Sequence, residues 1–172
     1  MKKLFLLLTL LTFCFAIYGC SSDSAYKNEA NNIAEIINSD SGSAYKFSGE
    51  MDEDPSKWKA YRFESGGSWD EGGYVLGISF SIDTGNLYSI QVSAKDISIA
   101  ENQCDTIFEY LGISSTYEDV LNSASGEGLL ISSNVVSEAG ETYSVLRSLE
   151  NGHILITRND TTIESAESYS ID

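Results

Sequence analysis

The sequence predicts an α+β fold, in which one antiparallel sheet of about seven strands carries an N-terminal helix and a central helix pair packed on one face. Three observations carry that expectation. From Tyr74 to Val92, apolar and polar residues alternate on either side of the turn formers Asp83, Thr84, Gly85 and Asn86, which is the period of a half-solvated hairpin. The period becomes helical over 26–37 and again over 98–121, returning to strand spacing after each. Near the end, Asn151 and Gly152 separate two apolar-rich runs, and both tolerate the positive φ that a two-residue type I′ turn demands.

Each element follows from its residues. Tyr26, Ala30, Ile33, Ala34 and Ile37 form one helical stripe, which should stop near Asn38 because Ser39, Asp40, Ser41 and Gly42 compete for backbone hydrogen bonds. A strand pair should follow, with Tyr45, Phe47 and Met51 sharing a face on the first strand and Tyr61 and Phe63 on the second, Trp58 to Glu64. Pro55 cannot donate to a ladder, so Asp52 to Lys57 reads as their loop. In the next hairpin, Tyr74, Leu76, Ile78, Phe80 and Ile82 should face the core together with Tyr88, Ile90 and Val92.

Ser98 and Glu101 fit a capping box at the start of a helix whose stripe is Ala100, Cys104, Ile107, Phe108 and Leu111, with Gly112 placed to end it. A shorter helix should bury Tyr117, Val120 and Leu121, capped either by Ser115 with Glu118 or by Thr116 with Asp119. Strands at Leu129 to Val136, Thr142 to Leu149 and His153 to Arg158 complete the set. A helix-then-strands order thus occurs twice, with a period of about seventy residues, although only the element order matches between the halves.

Before all of this, Lys2 and Lys3 precede an uncharged apolar run from Leu4 that ends in Ile17, Tyr18, Gly19, Cys20. That layout resembles a bacterial lipoprotein signal closing in a lipobox. The resemblance implies removal of residues 1–19, a diacylglyceryl thioether on Cys20, and export to the cell envelope with the lipid as membrane anchor. The apolar run falls short of the roughly 20 residues a spanning helix needs. Two acyl chains make a durable tether, because each buried methylene contributes about 0.8 kcal/mol. The expected organisation is a signal at 1–19, a polar tether at 20–25, one globular domain at 26–160 and an acidic polar tail at 161–172.

The 172 residues include 26 acidic and 10 basic side chains, for a formal charge of −16. Loss of residues 1–19 removes two lysines and no acid, which takes the charge to −18. Such a surface repels phosphate backbones and anionic headgroups, so nucleic acid is an unfavourable partner and membrane residence falls to the lipid. Of three cysteines, Cys14 lies in the signal, Cys20 takes the lipid and Cys104 is left without a partner, so the domain must hold itself together by packing.

Candidate chemistry is sparse. A Cys104–His153 dyad would need a thiol beside a base, yet Cys104 lies in an apolar helical stripe and His153 opens a strand. One histidine excludes an H-E-x-x-H metal site, and no G-x-S-x-G elbow occurs. Glu50, Asp52, Glu53 and Asp54 offer oxygen ligands but lack the spacing of a calcium loop. No cofactor is implied. The loop from Ser65 to Gly73 places Trp69, Asp70 and Glu71 between paired glycines, where a large aromatic beside carboxylates can stack on a sugar ring or anchor a protein. The expectation is a non-catalytic envelope domain that binds a protein partner or small ligand. The competing classes are a hydrolase with paired carboxylates in a deep cleft and an acidic inhibitor or immunity-type protein.

Overall fold

A computed structural model describes residues 22–41, 43–51, 54, 56–67, 72–124, 130–148 and 152–159. Helix α1 spans Ser22–Ser41 and so begins four residues before the expected Tyr26. Residues 22–25, expected as tether, form its first turn, and two contacts explain why. Lys59 reaches the Asp23 carboxylate at 3.3 Å, and the Tyr61 hydroxyl donates to the Asp23 carbonyl at 3.2 Å. Asp23 also suits the positive end of the helix dipole. The stripe falls where its spacing places it, with Ala30, Ile33, Ala34 and Ile37 buried and Tyr26 stacked on Phe80. At the far end Asn38 mimics a neighbouring strand: its Oδ1 accepts from the Tyr45 N–H at 2.7 Å and its Nδ2 donates to the Tyr45 carbonyl at 3.0 Å.

The strands are β1 Lys46–Glu50, β2 Trp58–Ser65, β3 Tyr74–Ser81, β4 Leu87–Ala94, β5 Leu130–Val136, β6 Thr142–Ser148 and β7 His153–Arg158. They form one seven-stranded sheet in the order β1-β2-β3-β4-β7-β6-β5, antiparallel throughout. Two meanders therefore meet at β4 and β7, each accompanied by its own helices. Because side chains alternate between faces, the register fixes what each face carries. One face holds Phe63, Leu76, Val92 and Ile154 in a row and Tyr61, Ile78, Ile90 and Ile156 in the next, all 2% exposed or less. This is the core, and the helices cover it.

Two irregularities move residues off the face expected of them. The register slips between Phe47 and Gly49, so Met51 turns away from Phe47 and its Sδ packs over Gly77 on the opposite side. A second slip near Phe80 pairs that residue with Leu87, and the extra residue Tyr88 leaves the core side to stack on Trp58, ring centroids 3.9 Å apart.

The central helices are α2 Ile97–Glu101, α3 Cys104–Tyr110 and α4 Tyr117–Ser123. The expected Ser98–Glu101 capping box does not form. Asp96 caps α2 instead, its carboxylate accepting from the Ser98 N–H at 3.0 Å, while Glu101 turns to Arg147 of β6. The single long helix expected over 98–111 is broken at Asn102 and Gln103. Gln103 is buried there, accepting from the Tyr45 hydroxyl at 2.9 Å and donating to Ser43 at 3.2 Å. Gly112 ends α3 at φ +67, with the Ile113 N–H on the Phe108 carbonyl, as a helix stop with a glycine in the left-handed region requires. Of the two candidate caps on α4, Thr116 with Asp119 is the one used.

Candidate binding surface

The described helices pack on the core face, leaving the other face of the sheet without a helix layer among the described residues, Met51 alone lying over Gly77. Its composition follows from the same alternation. Ser79, Ser89, Thr157 and Ser144 lie side by side on β3, β4, β7 and β6, and Asn134 continues the row on β5. The neighbouring row is Gly77, Gln91, Leu155 and Leu146, and the row beyond it Val75, Ser93, His153 and Ser148. Trp58 and Tyr88 stand at one end as a stacked pair. On these four strands the face carries no carboxylate, ammonium or guanidinium, because Arg147 and Arg158 alternate onto the core side, where they pair with Glu101 and Glu141.

Hydrogen bonding fixes the polar groups. Ser144 Oγ lies 2.8 Å from Asn134 Oδ1 and 2.9 Å from Asn159 Oδ1, linking β5, β6 and the end of β7. Gln91 Nε2 donates to Ser93 Oγ at 3.0 Å, and Ser93 Oγ lies 2.8 Å from His153 Nδ1. That chain is satisfied by a neutral imidazole, and burial lowers the His153 pKa from its ordinary value. A serine beside a histidine suggests a nucleophile, yet Ser93 is 5% exposed and lies within a regular strand directly opposite His153, so the contact is that of cross-strand neighbours.

The Cys104–His153 pairing is absent. Cys104 is fully buried among the core residues, its thiol donating to the Ala100 carbonyl at 3.4 Å, whereas His153 is on the opposite face of the sheet. Burial pushes the Cys104 thiol pKa far up, which suits an inert core residue.

Acidic chemistry has a shallow setting. A cleft of about 570 Å³ is lined by Asp105, Glu109 and Glu138 with Ser114 to Thr116. Two of these acids have structural partners: Asp105 accepts from the Tyr117 N–H at 2.7 Å and Glu138 from the Ser114 hydroxyl at 3.1 Å. Asp54 and Asp96 are both held below the ordinary carboxylate range by the hydroxyl and N–H of the serine two residues on, the opposite of what a general acid needs. Among the described residues no group of three His, Cys, Asp or Glu side chains is placed to hold a metal ion.

The sequence candidates Trp69, Asp70 and Glu71 and the lipidation candidate Cys20 lie outside the described residues. So do Asp52, Glu53 and the tail 161–172. The glycines flanking the Trp69 loop are described, and Gly66, Gly67 and Gly72 hold φ of 75, 97 and 90, a backbone path that side chains resist. On the open face the structure places Trp58, half-buried, which its place in a strand pattern made a poor candidate. Its parity, opposite to that of Tyr61 and Phe63, already puts it on the other face, and the bulge at Tyr88 supplies its stacking partner, which no local sequence signal marks. No helix of the described residues is long and apolar enough to cross a membrane. Comparison with protein-family models, curated proteins and solved structures finds no match to this chain.

Proposed function

We propose that this chain is a lipid-anchored, non-catalytic binding domain of the bacterial cell envelope, holding a small uncharged sugar ligand on the open face of its sheet. The observation that carries this reading is the absence of charged side chains from that face on β3 to β7, with the one ion pair of neighbouring β2, Arg62 with Glu64 at 2.8 Å, internally balanced, on a molecule of formal charge −16. Hydroxyls and amides from β4, β7, β6 and β5, beside a stacked tryptophan and tyrosine, match a ligand that offers hydroxyl groups and a flat apolar ring face. Trp69, Asp70 and Glu71, the candidates read from the sequence, remain a proposed second contact for a ligand or partner. Cys20 supplies the anchor, in keeping with the lipobox resemblance.

Two experiments test the two halves. Titration of the chain with neutral oligosaccharides, read by tryptophan fluorescence and amide shifts, should perturb Ser89, Gln91 and Thr157, and Trp58→Ala should abolish the response. Silence across glucan, mannan, galactan and chitin oligomers rejects the ligand class. Separately, Cys20→Ser should move the protein from the membrane to the soluble fraction, and unchanged membrane sedimentation with no acyl mass on the native peptide rejects the anchor.

A further inference from the structure

The two edges of the sheet are treated differently. Strand β1 is five residues long, carries Lys46 and Glu50, and is interrupted by a bulge, while Lys27 sits 4.0 Å over the ring of Phe47. Short length, charge and a bulge are the devices by which an edge is kept from pairing with another chain. Strand β5 has none of them. Its seven residues, Leu-Ile-Ser-Ser-Asn-Val-Val, include no charge and no proline, and they pair with β6 in unbroken register from Leu130 to Val136. Val136 is 60% exposed. Among the described residues nothing pairs with the outer edge of β5.

The strand is also a palindrome in polarity, with two apolar residues, three polar and two apolar. Folded back on itself antiparallel about Ser133, it sets Leu130 opposite Val136, Ile131 opposite Val135 and Ser132 opposite Asn134. Each of those pairs joins like with like, and each falls on one face of the sheet because partners in an antiparallel ladder share a face. An interface in which residue i meets j and j meets i is what a twofold requires.

We propose that the outer edge of β5 pairs with β5 of a second copy of this chain, centred on Ser133, so that two seven-stranded sheets become one continuous sheet. The neutrality of the strand matters, since each copy carries −16 and the bodies repel. Screening by salt therefore tightens the pair, the reverse of what salt does to an association of opposite charges. The open face stays open on both copies, so the pairing stands independently of any sugar ligand.

The test uses the full chain with Ser133→Cys as reporter. Directly opposite residues in an antiparallel ladder have Cα atoms about 4.5–5.5 Å apart, within disulfide reach. Mild oxidation should give a disulfide-linked dimer well above the background set by the chain's own cysteines, and more of it at high salt. Adding Ser132→Lys and Asn134→Lys juxtaposes like charges and should lower the yield about tenfold, while Ser132→Lys with Asn134→Glu should restore it. Each variant is checked for a wild-type melting curve, and the charge-swap pair guards against a loss caused by misfolding. A folded reporter that gives only background dimer overturns the proposal. So does equal yield from the two charge variants.

Discussion

Glu101 at the end of α2 and Arg147 on β6 form a half-buried ion pair in which Nε and Nη2 of the guanidinium approach the same carboxylate oxygen at 2.7 and 2.5 Å. Their side chains are 24% and 19% exposed, so the pair joins the helix layer to the second meander where water competes poorly. Glu101→Gln keeps the shape and removes the charge, leaving Arg147 without its counter-ion. Urea denaturation should show a loss of about 1–3 kcal/mol. A double change, Glu101→Leu with Arg147→Met, should recover most of it, because an apolar pair leaves no buried charge uncompensated.

Gly152 holds φ +61 at the start of β7, where an added Cβ would collide with the Ala94 carbonyl oxygen. The same glycine accepts the Ala94 N–H at 2.9 Å, so the clash falls on the junction between the two meanders. Gly152→Ala should cost roughly 3 kcal/mol or more. Gly140, at φ +83 with open space around its Cβ position, provides the comparison. There Ala should cost only about 1 kcal/mol, from the backbone conformation alone. Equal losses at the two sites in a denaturant series would contradict the steric account.

Thr116 accepts the Asp119 N–H at 3.2 Å and Asp119 reaches back to the Thr116 N–H at 3.3 Å. Thr116→Ala should lower stability by about 1 kcal/mol, and Thr116→Ser should keep most of it. Amide exchange in α4 should report the loss locally.

His153 has its pKa lowered by burial, so the folded state binds its proton less readily than the unfolded chain does. Its contribution to stability is complete above the unfolded pKa of about 6.5 and declines as pH falls from there toward the folded value. Replacing His153 with Gln should flatten the stability profile as pH falls below about 6.5. Chemical denaturation of both proteins at closely spaced pH values measures the difference.

Cys104, with no exposed surface and a thiol pKa raised by burial, should resist alkylation in the native protein and react only as the chain unfolds. Mass spectrometry of the labelled Cys104 peptide along a urea series should follow the unfolding curve. Rapid native labelling would revive it as a nucleophile.

What the sequence made legible depends on how local the cause is. The period-two hairpin around Asp83 to Asn86, the stripe from Ala30 to Ile37 and the capping pair Thr116 and Asp119 all use neighbours a few residues apart. The misassigned features depend on remote partners. Ser98 and Glu101 make a good capping box in isolation, but Glu101 is claimed by Arg147, forty-six positions on, and Asp96 takes the cap. Tyr88 and Met51 follow the alternation that should bury them until register slips set by the partner strands turn them out. The polar face itself was spread through four strands, and only the placement of β7 beside β4 brings Ser93 to His153 and aligns the hydroxyl row.

The central position of β7 has a consequence for biosynthesis. The strand that fills the middle of the sheet is made after every other described strand. Until it emerges, the long edge of β4, with Ile90 and Val92 on its inner side, has nothing to zip against, and the two meanders are separate halves. A ribosome that stalls before His153 leaves a product with four raw margins where the described sheet has two. Closure of the described sheet therefore arrives with six residues, and any check on this molecule that reads open strand edges is answered by them.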